Sequence, residues 1–151
     1  MSITTVRTAL ASLMVAHVAG VKTALAQLPR KEIIDADLPL ALIRAKGATY
    51  PDNPEDMYLE RRAYTVTLMV LPVPQGLDNG EGEARTEPFV PLVRDMLKGS
   101  PSLGGVLTVQ SARLTADSGP SQLVWAGVTY WGCEFSLTVE EFVPRIFLDS
   151  E

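Results

Sequence analysis

The feature that most constrains this chain is a strict two-residue alternation near its end. Between positions 131 and 140 every second side chain is apolar: Trp131, Cys133, Phe135, Leu137 and Val139. The residues between them are small, polar or acidic. Because successive side chains of a strand point to opposite faces, this run predicts a long strand with one buried and one wet face. A sheet that keeps one face wet is typically antiparallel.

The N-terminal segment has a helical period instead. Apolar residues recur at three- and four-residue steps from Ile3 to Leu28, which predicts one long helix with a single apolar stripe. A second, shorter helix is predicted from Thr86, as its N-cap, to Lys98. No run reaches the roughly 18 uncharged apolar residues of a membrane span, so we predict no membrane segment.

The remaining apolar runs predict strands. They are Leu40–Lys46, Arg62–Leu71, Val106–Ala116 and Gln122–Val128, the last with an alternative break at Gly127, followed by the closing strand Trp131–Phe142. The order of helix, two strands, helix and two or three strands predicts an α+β fold. We expect one domain over residues 1–151, with an antiparallel sheet of four to five strands and both helices packed on one face.

Residues 72–85 are rich in glycine and acids and poor in apolar side chains. Such a stretch in a compact domain is usually functional or disordered, and we predict a mobile loop that orders on docking. The motif resembles a calcium loop only weakly, because it lacks the glutamate spacing that such loops require.

The net charge of the 151 residues is -5, which argues against a dedicated nucleic-acid binder. The chain has one cysteine, so no disulfide can form within it. The 46% of hydrophobic residues is ordinary for a globular protein and argues against disorder.

The candidates for catalysis are few. His17 lies near the apolar stripe of the first predicted helix, and Cys133 lies on the apolar face of the closing strand, where thiols are usually inert. Glu140 and Glu141 are adjacent in a strand and therefore point to opposite faces. We predict no catalytic residue, no metal site and no cofactor. A small enzyme or ligand-binding domain remains the alternative from another functional class.

Several charged positions are candidates for contact with a partner. Arg61 and Arg62 open a strand, and Glu134 and Glu140 lie on the wet face of the closing strand. The predicted loop adds four more positions. The full set of candidate interface residues is Arg61, Arg62, Leu77, Asp78, Glu81, Glu83, Glu134 and Glu140.

The order of these segments resembles that of the tail terminator, or tail completion, proteins of long-tailed bacteriophages and related gene-transfer particles. The likeness covers most of the chain. It rests on the long first helix, the strand at 62–70 (RAYTVTLMV), the acidic glycine-rich loop, the short helix, and the closing run at 127–139 (GVTYWGCEFSLTV).

The resemblance implies a homohexameric ring in the virion, at the neck end of the tail. The ring would cap the tail tube, stop its polymerisation and contact both the tail-tube protein and the neck, or head–tail connector, protein. DNA would pass through its lumen without specific binding, which suits an acidic chain because like charges repel. Connector and tube subunits share this architecture and remain alternatives.

Overall fold

The computed structural model describes residues 2–27, 33, 35–50, 57–73 and 79–144. It has an α+β architecture, as the sequence predicted. Its elements in chain order are α1 (Ser2–His17), β1 (Thr23–Leu25), a 3₁₀ turn (Asp35–Asp37), β2 (Leu40–Thr49), β3 (Met57–Pro72), α2 (Asn79–Thr86), α3 (Phe89–Lys98), β4 (Val109–Asp117), β5 (Ser121–Trp125) and β6 (Val128–Pro144).

The sheet has six described strands rather than four or five, and it is mixed rather than purely antiparallel. The strand order is β1-β2-β3-β6-β4, with β5 also paired to β6. The pairs β2–β3, β3–β6, β4–β6 and β5–β6 are antiparallel, whereas β1 lies parallel to β2. The antiparallel prediction therefore holds for all pairs except the short first one.

The first helix is shorter than predicted, and this explains the parallel pair. It ends at His17 rather than Leu28. Gly20 follows with φ +94°, in the left-handed region that favours glycine and that no α-helix contains. The chain turns there, and Thr23, Ala24 and Leu25 pair with Leu40, Ala41 and Leu42. Leu28 lies outside the described residues.

The second helix also differs from its prediction. It starts at Phe89, not Thr86, and ends at Lys98 as expected. Thr86 instead closes the additional helix α2, where its hydroxyl donates to the Gly82 carbonyl at 2.9 Å. The loop predicted over residues 72–85 is therefore helical from Asn79 onward, and residues 74–78 lie outside the described part of the chain.

The main core lies between the sheet and the helices, on one face as predicted. The alternating side chains of β6 from Trp131 to Val139 are all buried. They belong to one apolar cluster with Val6, Leu10 and Met14 of α1 and with Val93 and Leu97 of α3. The closing strand is thus the floor under the first helix, and we call this side of the sheet the helix face.

A smaller apolar cluster lies on the opposite side of the sheet, here called the open face. It is formed by Leu38, Leu40, Leu42, Met69 and Tyr130. Because these residues alternate with those of the main core along β2, β3 and β6, one end of the open face is apolar and covered. The other end carries the polar side chains.

Candidate functional site

The polar half of the open face is organised around Glu140. Its carboxylate lies 3.4 Å from Arg61 of β3, its direct cross-strand neighbour, and 3.9 Å from Arg113 of β4. The Arg61 and Arg113 side chains are 45% and 69% exposed, against 19% for Glu140. Exposed ion pairs of this kind contribute at most about 1 kcal/mol. Both arginine side chains therefore remain largely accessible to solvent.

Arg44 occupies the border between the two halves of the open face. Its guanidinium donates to Thr67 Oγ1 at 3.4 Å and lies 5.9 Å from the centre of the Trp125 ring. A cation over an indole ring is attracted by the ring's negative face. This contact joins the β5–β6 hairpin to β2 across the open face.

Glu134 lies on the open face, as predicted, and is partly buried. Its backbone exchanges hydrogen bonds with Ser118: the Ser118 N–H donates to the Glu134 carbonyl, and the Glu134 N–H donates to Ser118 Oγ, both at 2.9 Å. These bonds bridge the gap between β4 and β5, which therefore run along β6 as one interrupted strand.

Arg61 and Arg62 point to opposite faces of the sheet and therefore make different contacts. Arg62 donates to Glu60 Oε1 at 2.6 Å, to the Lys46 carbonyl at 2.8 Å and to the Tyr50 hydroxyl at 3.3 Å. Its side chain is only 17% exposed. These contacts tie the end of β2 to β3, and the Glu60 hydrogen bond raises the pKa of Arg62 against the opposing effect of burial.

A pair of buried carboxylates lies beside Arg62. Glu60 and Glu141 are direct cross-strand neighbours and are 7% and 2% exposed. Thr108 Oγ1 donates to Glu141 at 2.6 Å. Burial, and then the nearby Glu141 carboxylate, raise the pKa of Tyr64 well above its usual range. Sequence reasoning placed Glu140 and Glu141 on opposite faces correctly, but missed that Glu60 lies opposite Glu141.

The remaining predicted interface residues fall on α2 or outside the described chain. Glu81 and Glu83 are exposed on α2, and Glu81 accepts from Arg85 at 3.1 Å, one helical turn away. Leu77 and Asp78 lie outside the described residues. Glu81 and Glu83 of α2 and Glu87 just after its end are exposed together with one cation, Arg85, so the surface at this helix is net acidic.

The two catalytic candidates are placed in different surroundings. His17 is exposed in the last turn of α1. Cys133 is fully buried on the helix face, and burial raises the pKa of its thiol despite a 3.8 Å contact with Ser118 Oγ. A thiol with a raised pKa remains protonated near neutrality, and the thiolate is the reactive form.

The edges of the sheet are the other notable surfaces. Among the described strands, β4 and β5 pair only with β6 and form one edge. On the opposite side β1 pairs with Leu40–Leu42 of β2, and within the described part of the chain the rest of β2 pairs only with β3. At the β4–β5 edge, Val124 is an exposed apolar side chain, with 71% of its surface accessible.

No protein-family model matches this chain, and no curated protein is significantly similar to it. Within the described residues, no three histidine, cysteine, aspartate or glutamate side chains group as a metal site requires. None of the described helices is both long and apolar enough to cross a bilayer.

Proposed function

We propose that this chain is a structural subunit of a long-tailed phage or a related gene-transfer particle. In this proposal six copies form a ring that caps the tail tube, ends its polymerisation and joins the tail to the neck connector. The proposal combines the segment order that resembles tail terminators with one structural observation. That observation is the pair of different, incompletely covered sheet edges on opposite sides of each copy.

The two edges matter because of how rings close. A cyclic assembly needs two different surfaces on each copy, so that one surface of each copy meets the other surface of the next. Here the β4–β5 strand forms one edge, and the part of β2 beyond Leu42 forms the other. Exposed edge strands present unpaired N–H and C=O groups that favour pairing with another chain.

The distribution of charge supports the ring proposal at α2. The open face carries Arg44, Arg61 and Arg113 among Glu134 and Glu140, so it is not predominantly acidic. The acidic surface is on α2. We therefore propose α2 as the surface that would face passing DNA and repel it.

The proposal is tested by measuring the mass of the purified assembly and by locating the protein in particles. Native mass spectrometry should give six copies, and electron microscopy of tagged particles should place one ring at the neck end of the tail. Many stacked rings along the tail would indicate a tube subunit, and a ring on the head side of the neck would indicate a connector. A strictly monomeric protein that is absent from particles would overturn the proposal.

A further inference from the structure

A groove of about 470 Å³ lies between α3 and β4. Leu97, which is 2% exposed, and Ala112, which is 5% exposed, are buried residues along it, and Leu114 and Pro101 complete its apolar lining. Arg94 and Lys98 of α3 line the same groove, as does Arg113 of β4, which also contacts Glu140 at 3.9 Å. The groove volume falls within the range of about 300–1,000 Å³ that is typical of ligand sites.

The cations beside this groove have little to neutralise them. Within the described part of the chain the one ion pair of Arg94 is with its neighbour Asp95, at 3.2 Å, and both side chains are more than half exposed. Among the described residues no ion pair involves Lys98. An apolar cleft flanked by two available cations, on a chain with net charge -5, suits an apolar segment followed by acids.

The chain itself contains such a segment. Residues 146–151, which lie outside the described residues, read Ile-Phe-Leu-Asp-Ser-Glu: three apolar residues and then two acids, with no cation among them. We propose that the segment 146–151 of a second copy occupies the groove. In this arrangement Phe147 or Leu148 fills the apolar lining, and Asp149 and Glu151 approach Lys98 and Arg94. The inference rests on the proposal that copies of this chain associate.

The lengths favour a second copy over the same copy. Ala112 is paired with Val139, five residues before Pro144, which corresponds to roughly 17 Å along the strand. Phe147 and Leu148 follow Pro144 by three and four residues and can therefore reach back at most about 11 and 14 Å. Within one copy, some of the residues after Pro144 would also be needed for the chain to reverse its direction. Its own Phe147 thus falls short of the groove.

The neighbouring strand provides a second means of holding an extended segment. Ala112 and Leu114 belong to β4, which forms an edge of the sheet and pairs only with β6 among the described strands. An extended peptide can add to such an edge through main-chain hydrogen bonds, while alternate side chains enter adjacent pockets. In this arrangement the segment pairs with β4, and β5 makes the contact with β2 of the next copy.

Photo-crosslinking in the full-length chain tests the inference directly. Position 147 is replaced with the photoreactive residue p-benzoylphenylalanine, and isotopically heavy and light copies are mixed before irradiation. We expect heavy–light crosslinks from position 147 to peptides of α3 and β4. The same residue at position 15, which is exposed on α1, should give no crosslink to the groove and is the control.

A charge exchange provides an independent measurement. Lys98→Glu and Asp149→Lys should each weaken self-association about two- to fivefold, as expected for an exposed ion pair, and the double variant should recover it. Lys22→Glu, at an exposed lysine near the end of α1, is the matched control. Sedimentation velocity measures the association, and circular dichroism confirms that each variant folds.

The outcomes separate this inference from the proposed ring. A six-copy ring whose position 147 crosslinks only within its own copy, or outside the groove, overturns the inference and leaves the ring standing. Heavy–light crosslinks in the groove without a six-copy mass support the inference and count against the ring. The absence of crosslinks between copies, with no recovery in the double variant, overturns the inference.

Discussion

At the scale of single residues, Gly132 is a position with no room for a side chain. A Cβ atom built there would collide with the backbone carbonyl of Leu68 on β3 and would lie 3.1 Å from Leu123 Cδ1. Backbone in the centre of a sheet cannot yield as a flexible side chain can. The sequence places a glycine within the closing strand, but only the pairing of β6 with β3 explains why it must be glycine.

We therefore predict that Gly132→Ala lowers the free energy of unfolding by about 3 kcal/mol. Urea denaturation measures the change. Gly47→Ala is the matched control, because a Cβ at that position meets nothing within 4 Å. The control should change stability by less than about 1 kcal/mol. Equal effects of the two substitutions would contradict the observed approach of β6 to β3.

Tyr64 provides a prediction about pH. Its side chain is 1% exposed, its hydroxyl has no hydrogen-bond partner among the described residues, and its pKa is raised by burial and by Glu141. In the unfolded chain a tyrosine ionises near pH 10. Above that pH the unfolded state loses a proton that the folded state keeps, so stability should fall as pH rises.

Tyr64→Phe should therefore flatten the decline in stability above about pH 10, and at neutral pH it should cost little because no hydrogen bond is lost. Thermal unfolding between neutral and alkaline pH measures this. Tyr50→Phe, at a position that is 57% exposed, should leave the decline in place. Cys133, whose pKa is also raised, is present in both variants, so its contribution cancels. An unchanged alkaline decline in Tyr64→Phe would contradict this account.

At the scale of secondary-structure elements, α2 is the helix that sequence reasoning did not find. Its sequence, NGEGEART, contains two glycines and little apolar surface, so neither helix propensity nor period predicts it. The structure places Gly82 directly against the indole ring of Trp131. The helix is thus stabilised by a tertiary contact that is not visible in its own sequence.

Whether Gly82→Ala raises or lowers the free energy of unfolding tests that contact. On helix propensity alone, alanine should stabilise α2 by about 1 kcal/mol. Because the added methyl group collides with Trp131, we instead expect a loss of about 1–3 kcal/mol. Urea denaturation followed by tryptophan fluorescence measures it. Glu83→Ala, at an exposed position of the same helix, should have little effect. A stabilising Gly82→Ala would show that α2 does not pack on Trp131.

The β5–β6 hairpin is another element that the sequence predicted only in part. The turn at its tip has φ +50° at Ala126 and +80° at Gly127, and positive values at both central residues are typical of a type I′ turn. Gly127 marks the turn in the sequence. The sequence therefore offered a break at Gly127 within the predicted strand Gln122–Val128, but not the positive φ of Ala126, because alanine rarely adopts such a conformation.

At the scale of the whole molecule, the proposed assembly depends on contacts between the sheet edges of neighbouring copies. If the β4–β5 edge meets the next copy, then Val124→Lys, at a residue that is 71% exposed, should weaken self-association about tenfold or more, since a charge would be buried in the interface. Native mass spectrometry across a dilution series measures this. The melting temperature of the dissociated protein should change little.

Val15→Lys is the matched control, because it makes the same change at an apolar side chain that is 50% exposed on α1. Association should persist in this variant. If both substitutions weaken assembly equally, or neither does, the contact between copies does not pass through the β4–β5 edge. Either result would favour an interface on the helix side of the molecule.

The sequence by itself determined the local features of this protein. The two-residue alternation of β6 predicted which side chains are buried, and the three- and four-residue period of α1 predicted its buried stripe. Both follow from side-chain directions that neighbouring residues set. The opposite orientations of Glu140 and Glu141 were predictable for the same reason.

Only the tertiary structure decided which segments meet. The parallel pairing of β1, the docking of α2 on Trp131, and the placement of Glu60 opposite Glu141 all join residues far apart in the chain. Strand register depends on the packing of whole faces and on the turns between strands, which no local pattern specifies. The two sheet edges proposed for assembly follow from the long-range strand order, which leaves them unpaired among the described strands.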